Sequence, residues 1–123
     1  MNSLVLYVND LATMKQFYAS LLDYQISEEN DTFVRLSSAT YDLVLHQSSA
    51  EYQDQISKPP TLREDCPWKP TFSVKSISAS RVAAVDLGGA IVEESEQWVW
   101  GEYVYCNGND PEGNVIQLRQ LLK

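Results

Sequence analysis

At 123 residues, 44% of them apolar and 21% charged, the chain suits a single folded domain, 1–123, large enough to bury a core without disulfide or metal staples. A formal net charge of −8 repels phosphate polymers, so nucleic acid is not an expected partner. Cys66 and Cys106 lack CxxC or Cys/His spacing, the apolar run after Met1 is too short for a secretion signal, and no stretch approaches a membrane span; a cytoplasmic protein with no membrane contact is expected.

Leu4 to Val8 is β-branched and aromatic, and Asn9-Asp10 breaks it. Leu11, Met14, Phe17, Tyr18, Leu21 and Leu22 then recur at helical spacing, which predicts a strand, an Asp10 N-cap and a helix. Residues 24–29 and 32–38 predict two strands hinged at Asn30-Asp31, and 41–47 a further one with Leu43 and Leu45 on one face and Val44 and His46 on the other. Residues 48–68, with Gln53, Gln55, Lys58-Pro59-Pro60 and Cys66-Pro67, have no period and predict a linker or flap. Phe72-Ser73-Val74 restarts the pattern. Ser76 is the expected N-cap of a helix using Ile77, Ala84, Val85 and Leu87 and ended by Gly88-Gly89. Strands are expected at 91–96 and 98–106, and after the Asn107–Asn114 turn a last one from Val115 to Leu121.

A shift of 66 residues lays Val74 on Val8, Phe72 on Leu6, Ser76 on Asp10, Ile77 on Leu11, Arg81 on Lys15 and Leu87 on Leu21. Strand, cap and helix stay in register together, which implies two copies of one unit. The expected fold is α+β: two βαβββ repeats, 1–48 and 69–123 around a 49–68 linker, forming curved mixed sheets around a cavity with helices outside. A sheet face without a helix must meet something, and a concave space with a few polar groups is where a small ligand binds.

Leu6-x-Val8-x-Asp10-Leu11, Phe17-Tyr18-x-x-Leu21-Leu22 and Asp110-Pro111-Glu112-Gly113-Asn114-x-Ile116-x-Leu118 together resemble the vicinal oxygen chelate superfamily, over nearly the whole chain except the linker. That superfamily includes glyoxalase I, extradiol dioxygenases, fosfomycin-modifying enzymes and bleomycin-resistance binding proteins. The resemblance implies metal ligands at the start of each half's first strand and in each half's last strand. Those positions fall on Ser3, Lys69, Val44 and Gln117, of which only the glutamine can ligate. No metal and no cofactor are therefore expected.

The candidate residues each carry two readings. His46 is the only histidine, either an acid-base group, since imidazole exchanges protons near neutrality, or a strand-end residue near solvent. Lys69 and Gln117 either meet a ligand carboxylate or carbonyl, or pair with acidic residues of the other half. Phe33 and Arg35 line the cavity if Val34 and Leu36 cover the helix, and Arg35 then either binds a planar anion or forms a salt bridge. Trp98, Trp100, Tyr103 and Tyr105, with Tyr7 and Trp68, supply a ligand groove or a core; alternation along one strand puts the two tryptophans opposite Tyr103 and Tyr105. Glu93, Glu94, Glu96 and Glu102 make the region acidic.

The expected function is a metal-independent small-molecule binding protein of the bleomycin-resistance type, a homodimer taking an antibiotic-like cationic ring compound on Tyr7, Phe33, Arg35, His46, Lys69, Trp98, Trp100, Tyr103 and Gln117. The alternative is a glyoxalase-like lyase or isomerase of the lactoylglutathione lyase type, acting on a small carbonyl or thiol adduct with His46, Lys69 or Gln117 as catalytic groups.

Overall fold

The computed structural model describes residues 2–50 and 56–123; residues 51–55 of the expected flap, Gln53 and Gln55 among them, lie outside the described residues. Strand β1 (Asn2–Val8) leads into helix α1 (Leu11–Leu21), followed by β2 (Gln25–Glu29), β3 (Phe33–Ser37) and β4 (Tyr41–Gln47). The second half contains β5 (Thr71–Ser73), α2 (Ile77–Asp86), β6 (Ala90–Ile91), β7 (Trp98–Trp100), β8 (Tyr103–Asn109) and β9 (Val115–Leu121). Both helices start as their sequences dictate: Asp10 accepts from the Thr13 N–H at 3.1 Å and Ser76 from the Ala79 N–H at 3.1 Å.

The sheets repeat one topology. The first runs β1-β4-β3-β2 and the second β5-β9-β8-β6, with β7 also on β8. In each, the strand before the helix pairs in parallel with the last strand, and the other pairings are antiparallel. Val5 opposes Val44 and Thr71 opposes Gln117, so the 66-residue shift found in the sequence relates the first strands, while the last strands are offset by seven residues more. The chain is thus α+β, two repeats of a βαβββ plan with one helix each, the second repeat carrying β7 as an additional strand.

One core joins the halves. Met14, Phe17, Tyr18 and Leu21 of α1 pack with Val34, Leu36, Leu43 and Leu45, and the cluster continues through Phe72, Ile77, Ala84, Cys106, Ile116 and Leu118. These residues alternate along the strands with less buried ones, so each sheet has a helix-covered face and an open face. Helix α2 departs from its predicted stripe. Ile77, Ser80 and Ala84 are buried, while Val85, expected inside, is exposed, because the i, i+3, i+7 line runs through Ser80 instead.

Two sequence expectations in the second half are corrected. The 91–96 strand stops at Ile91 and gives way to a 3-10 turn at Glu94–Glu96. The 98–106 strand is a hairpin: Gly101, at φ +61°, turns the chain so that Trp98 opposes Tyr105 and Trp100 opposes Tyr103. Cross-strand partners share a face. Trp98, Trp100, Tyr103 and Tyr105 therefore stand together, and the opposite-face placement, which assumed one uninterrupted strand, fails.

The Asp110–Asn114 turn is a structural lock. Asp110 is fully buried and accepts from the backbone N–H groups of Glu112 and Asn114 (2.9 and 3.0 Å), the Asn114 amide (2.8 Å) and the Tyr18 hydroxyl of α1 (2.7 Å). Glu112 reaches across to the first half, where its carboxylate takes the backbone N–H of Asn9 (2.9 and 3.0 Å) and of Asp10 (2.9 Å). Burial pushes both carboxyls above their ordinary values, with the hydrogen bonds pulling the other way. Gly113 has φ +84°, and a Cβ there would overlap the Thr61 carbonyl, so the turn also holds the end of the linker.

Candidate functional site

The open face of the second sheet is built in rows. Ser73, Arg119, Tyr105 and Trp98 follow one another in register across β5, β9, β8 and β7. Trp98 stacks on Tyr105 with ring centroids 5.6 Å apart and planes at 12°, while Trp100 and Tyr103 each stand 6.1 Å from the same ring. Tyr105 is thereby buried to 7% exposure, whereas Trp98 keeps 38% and Trp100 73%. Sharing a face with three rings hides the fourth and leaves two indoles facing outward.

Arg119 crosses this bank. Its Nε donates to the Ser73 hydroxyl at 2.9 Å, and its Cζ lies 4.1 Å from the Tyr103 ring centroid. One row along, Thr71 donates to the Gln117 side-chain oxygen at 2.8 Å, the Gln117 amide donates to Asn107 at 3.3 Å, and Lys69 donates to the same Asn107 oxygen at 3.3 Å. Lys69 and Asn107 also line a cleft of about 310 Å³ with Arg63, Cys66, Trp68 and Asn109.

The first sheet presents different chemistry. Tyr7, His46 and Phe33 form the row equivalent to Ser73, Arg119 and Tyr105, with Tyr7 and His46 rings 5.4 Å apart. Tyr7 and His46 line an open cleft of about 830 Å³ with Asn9, Thr32, Gln47, Ser48, Ser49 and Arg63. His46 Nδ1 lies 3.1 Å from the Gln47 carbonyl. A carbonyl only accepts, so Nδ1 is the donor in this contact. Arg35 faces Glu28 at 3.5 Å and Asp42 at 3.4 Å, which realises its salt-bridge reading.

The nine candidate ligand residues are therefore divided. Tyr7, Phe33 and His46 belong to one sheet, Gln117, Trp98, Trp100 and Tyr103 to the other, with Lys69 just before β5 bonded to Asn107, and Arg35 is engaged with carboxylates. Of the acidic residues expected around the aromatics, Glu102 stands at the exposed hairpin tip between Trp100 and Tyr103, and Glu94 and Glu96 lie in the 3-10 turn before Trp98. Glu96 follows the stretch that Arg81 of α2 grips through the Val92 carbonyl at 2.9 Å and Gln97 at 2.7 Å, and it acts on the Cys106 thiol of the helix-covered face. Sequence reasoning missed Arg119, Asn107 and Thr71. The signal was present, because the register that sets Gln117 against Val44 also sets Arg119 against His46.

The four inherited ligand positions do not fit a divalent ion. Val44 sits against Val5, and Ser3 against Asp42; the Lys69 ammonium brings positive charge, and the Gln117 oxygen is taken by Thr71. Among the described residues no three His, Cys, Asp or Glu side chains converge.

Paired βαβββ units with polar and aromatic side chains on their open sheet faces define the vicinal oxygen chelate class. The family model described as a glyoxalase-like domain matches residues 3–119, and the chain belongs to that family. Its structure is similar to a glyoxalase/bleomycin resistance protein from Albidiferax ferrireducens T118 (TM-score 0.71, 21% identity, 98% of each chain). It is similar also to a glyoxalase/bleomycin resistance protein/dioxygenase family enzyme from Burkholderia phytofirmans PsJN (TM-score 0.69, 16% identity, 98% of this chain and 97% of that one). The virulence protein STM3117 from Salmonella typhimurium gives a TM-score of 0.64 at 25% identity, over 99% and 96% of the two chains. No curated protein matches by sequence. No helix among the described residues is long and apolar enough to cross a membrane.

Proposed function

We propose that the chain is a metal-independent small-molecule binding protein that holds an organic ring compound on the open face of its second sheet. One observation carries this reading: two outward-facing indoles stand beside the Lys69–Asn107–Gln117–Thr71 network, where the family's enzymes would hold a metal. Aromatic faces bind planar rings, and the polar network supplies orientation. Titrating intrinsic tryptophan fluorescence with a panel of planar ring compounds, chelator present, should give a saturable change; a flat response to all of them overturns the reading.

The working form is a homodimer in the cytoplasm. Exposed Val5, Tyr7 and Leu121 on the open faces support association of two copies that leaves the indoles to the ligand, and Cys66 and Cys106, free of any disulfide, suit a reducing compartment. Sedimentation equilibrium at micromolar concentration tests the first point; a monomer throughout contradicts it.

A glyoxalase-like lyase or isomerase is the second reading, favoured by His46. Its Nδ1 is engaged with the Gln47 carbonyl, which leaves Nε2 as the ring nitrogen for proton transfer beside a cleft of about 830 Å³. Turnover of a methylglyoxal–glutathione adduct that His46→Ala abolishes would establish it.

A further inference from the structure

We infer that the open face of the second sheet selects a planar ring bearing a carboxylate, with Arg119 as the anion receptor; this rests on the ring-binding reading above and specifies its ligand. Arg119 is held for the task. Its Nε is committed to Ser73 at 2.9 Å and its Cζ lies 4.1 Å from the Tyr103 centroid, which fixes the plane of the guanidinium. The two terminal nitrogens have no hydrogen-bond partner among the described residues, and such a pair matches the two oxygens of a carboxylate. Trp98 occupies the same in-register row, with only Tyr105 between it and Arg119, so a ring on the indole and its acidic group on the guanidinium lie within one small molecule's reach.

Charge on this face is reversed relative to the whole chain. The protein carries −8, yet Arg119 and Lys69 have no carboxylate within ion-pair distance among the described residues. The corresponding face of the first sheet does the opposite, setting Glu28 and Asp42 against its one arginine. Leaving two cations without acids inside an acidic protein suits a ligand that brings the missing charge. A cationic ring on Trp98 and Trp100 would instead meet repulsion from Arg119.

Three probes of one ring and different charge test this: 2-naphthoate, 2-naphthylmethanol and 2-naphthylmethylammonium, titrated calorimetrically into the full chain. Naphthoate should bind tightest, about tenfold ahead of the alcohol, with the ammonium weakest. Arg119→Gln should remove that preference while the alcohol binds as before, and Glu102→Gln, at the exposed hairpin tip, should change nothing. If Arg119→Gln does not fold, the wild-type order and a smaller loss of naphthoate in Lys69→Gln carry the decision. Ammonium binding as tightly as naphthoate overturns the charge assignment and leaves ring binding standing. Failure of all three probes overturns both, as does self-association through Trp100 with no ring bound, which would make a second copy the occupant.

Discussion

The two sheets share a backbone plan and differ in what stands on it. At equivalent register positions the first has Tyr7, His46 and Phe33, and the second Ser73, Arg119 and Tyr105. Where the first has Val44 and an ion-paired Arg35, the second has Gln117 and Asn107 in a hydrogen-bonded network with Thr71 and Lys69. The turns before the last strands differ too. Ser38 closes the β3–β4 turn through its own hydroxyl and the Tyr41 carbonyl at 2.9 Å, a local device, whereas Asp110–Asn114 reaches back to α1 and the end of β1. Duplication conserves helix-facing alternation, because the core depends on it, and leaves open faces and turns free to specialise.

The largest effect that would break this contrast is at the lock. Glu112→Ala strips acceptors from the Asn9 and Asp10 N–H groups and should cost on the order of 3 kcal/mol in urea denaturation, against a few tenths for Ser38→Ala in the equivalent local turn. Equal losses would deny the lock its special role. Tyr18→Phe deletes only the hydroxyl on Asp110 and should cost about 1 kcal/mol, read the same way.

The same lock predicts a pH dependence. Because burial raises the Asp110 and Glu112 carboxyls, the folded chain holds their protons more tightly than the unfolded one. Their contribution is then fully present below the unfolded carboxylate values and is lost as pH rises through the folded ones. Relative to wild type, Glu112→Gln should flatten the fall in stability above about pH 4. A wild-type stability that rises more steeply than the variant's over that range would contradict the sign.

Smaller effects separate the two open faces. Trp100→Ala should leave denaturation within about 0.5 kcal/mol of wild type, as expected of an exposed side chain, while weakening ring binding several-fold. His46→Ala should change ring binding least, since its cleft belongs to the other sheet.

Much of the architecture was legible in the sequence. Apolar spacing, the Asp10 and Ser76 caps and the 66-residue shift all express local constraints, and all reappear in the structure. The Gly101 hairpin was not legible by alternation, because one glycine with positive φ reverses the chain and changes which residues share a face. The Asp-Pro-x-Gly-Asn signature was visible, but the reach of Glu112 to Asn9 is tertiary and has no local trace. Arg119 is legible from the repeat as the residue two beyond the inherited ligand position Gln117, opposite Ser73 as His46 is opposite Tyr7.

Metal independence is tested most directly by measuring the affinity of the tightest-binding ring compound before and after exhaustive chelation, with nickel, zinc, iron or manganese then added back. An unchanged dissociation constant at every stage is predicted. Affinity that disappears with the chelator and returns at one equivalent of a divalent ion would contradict the account.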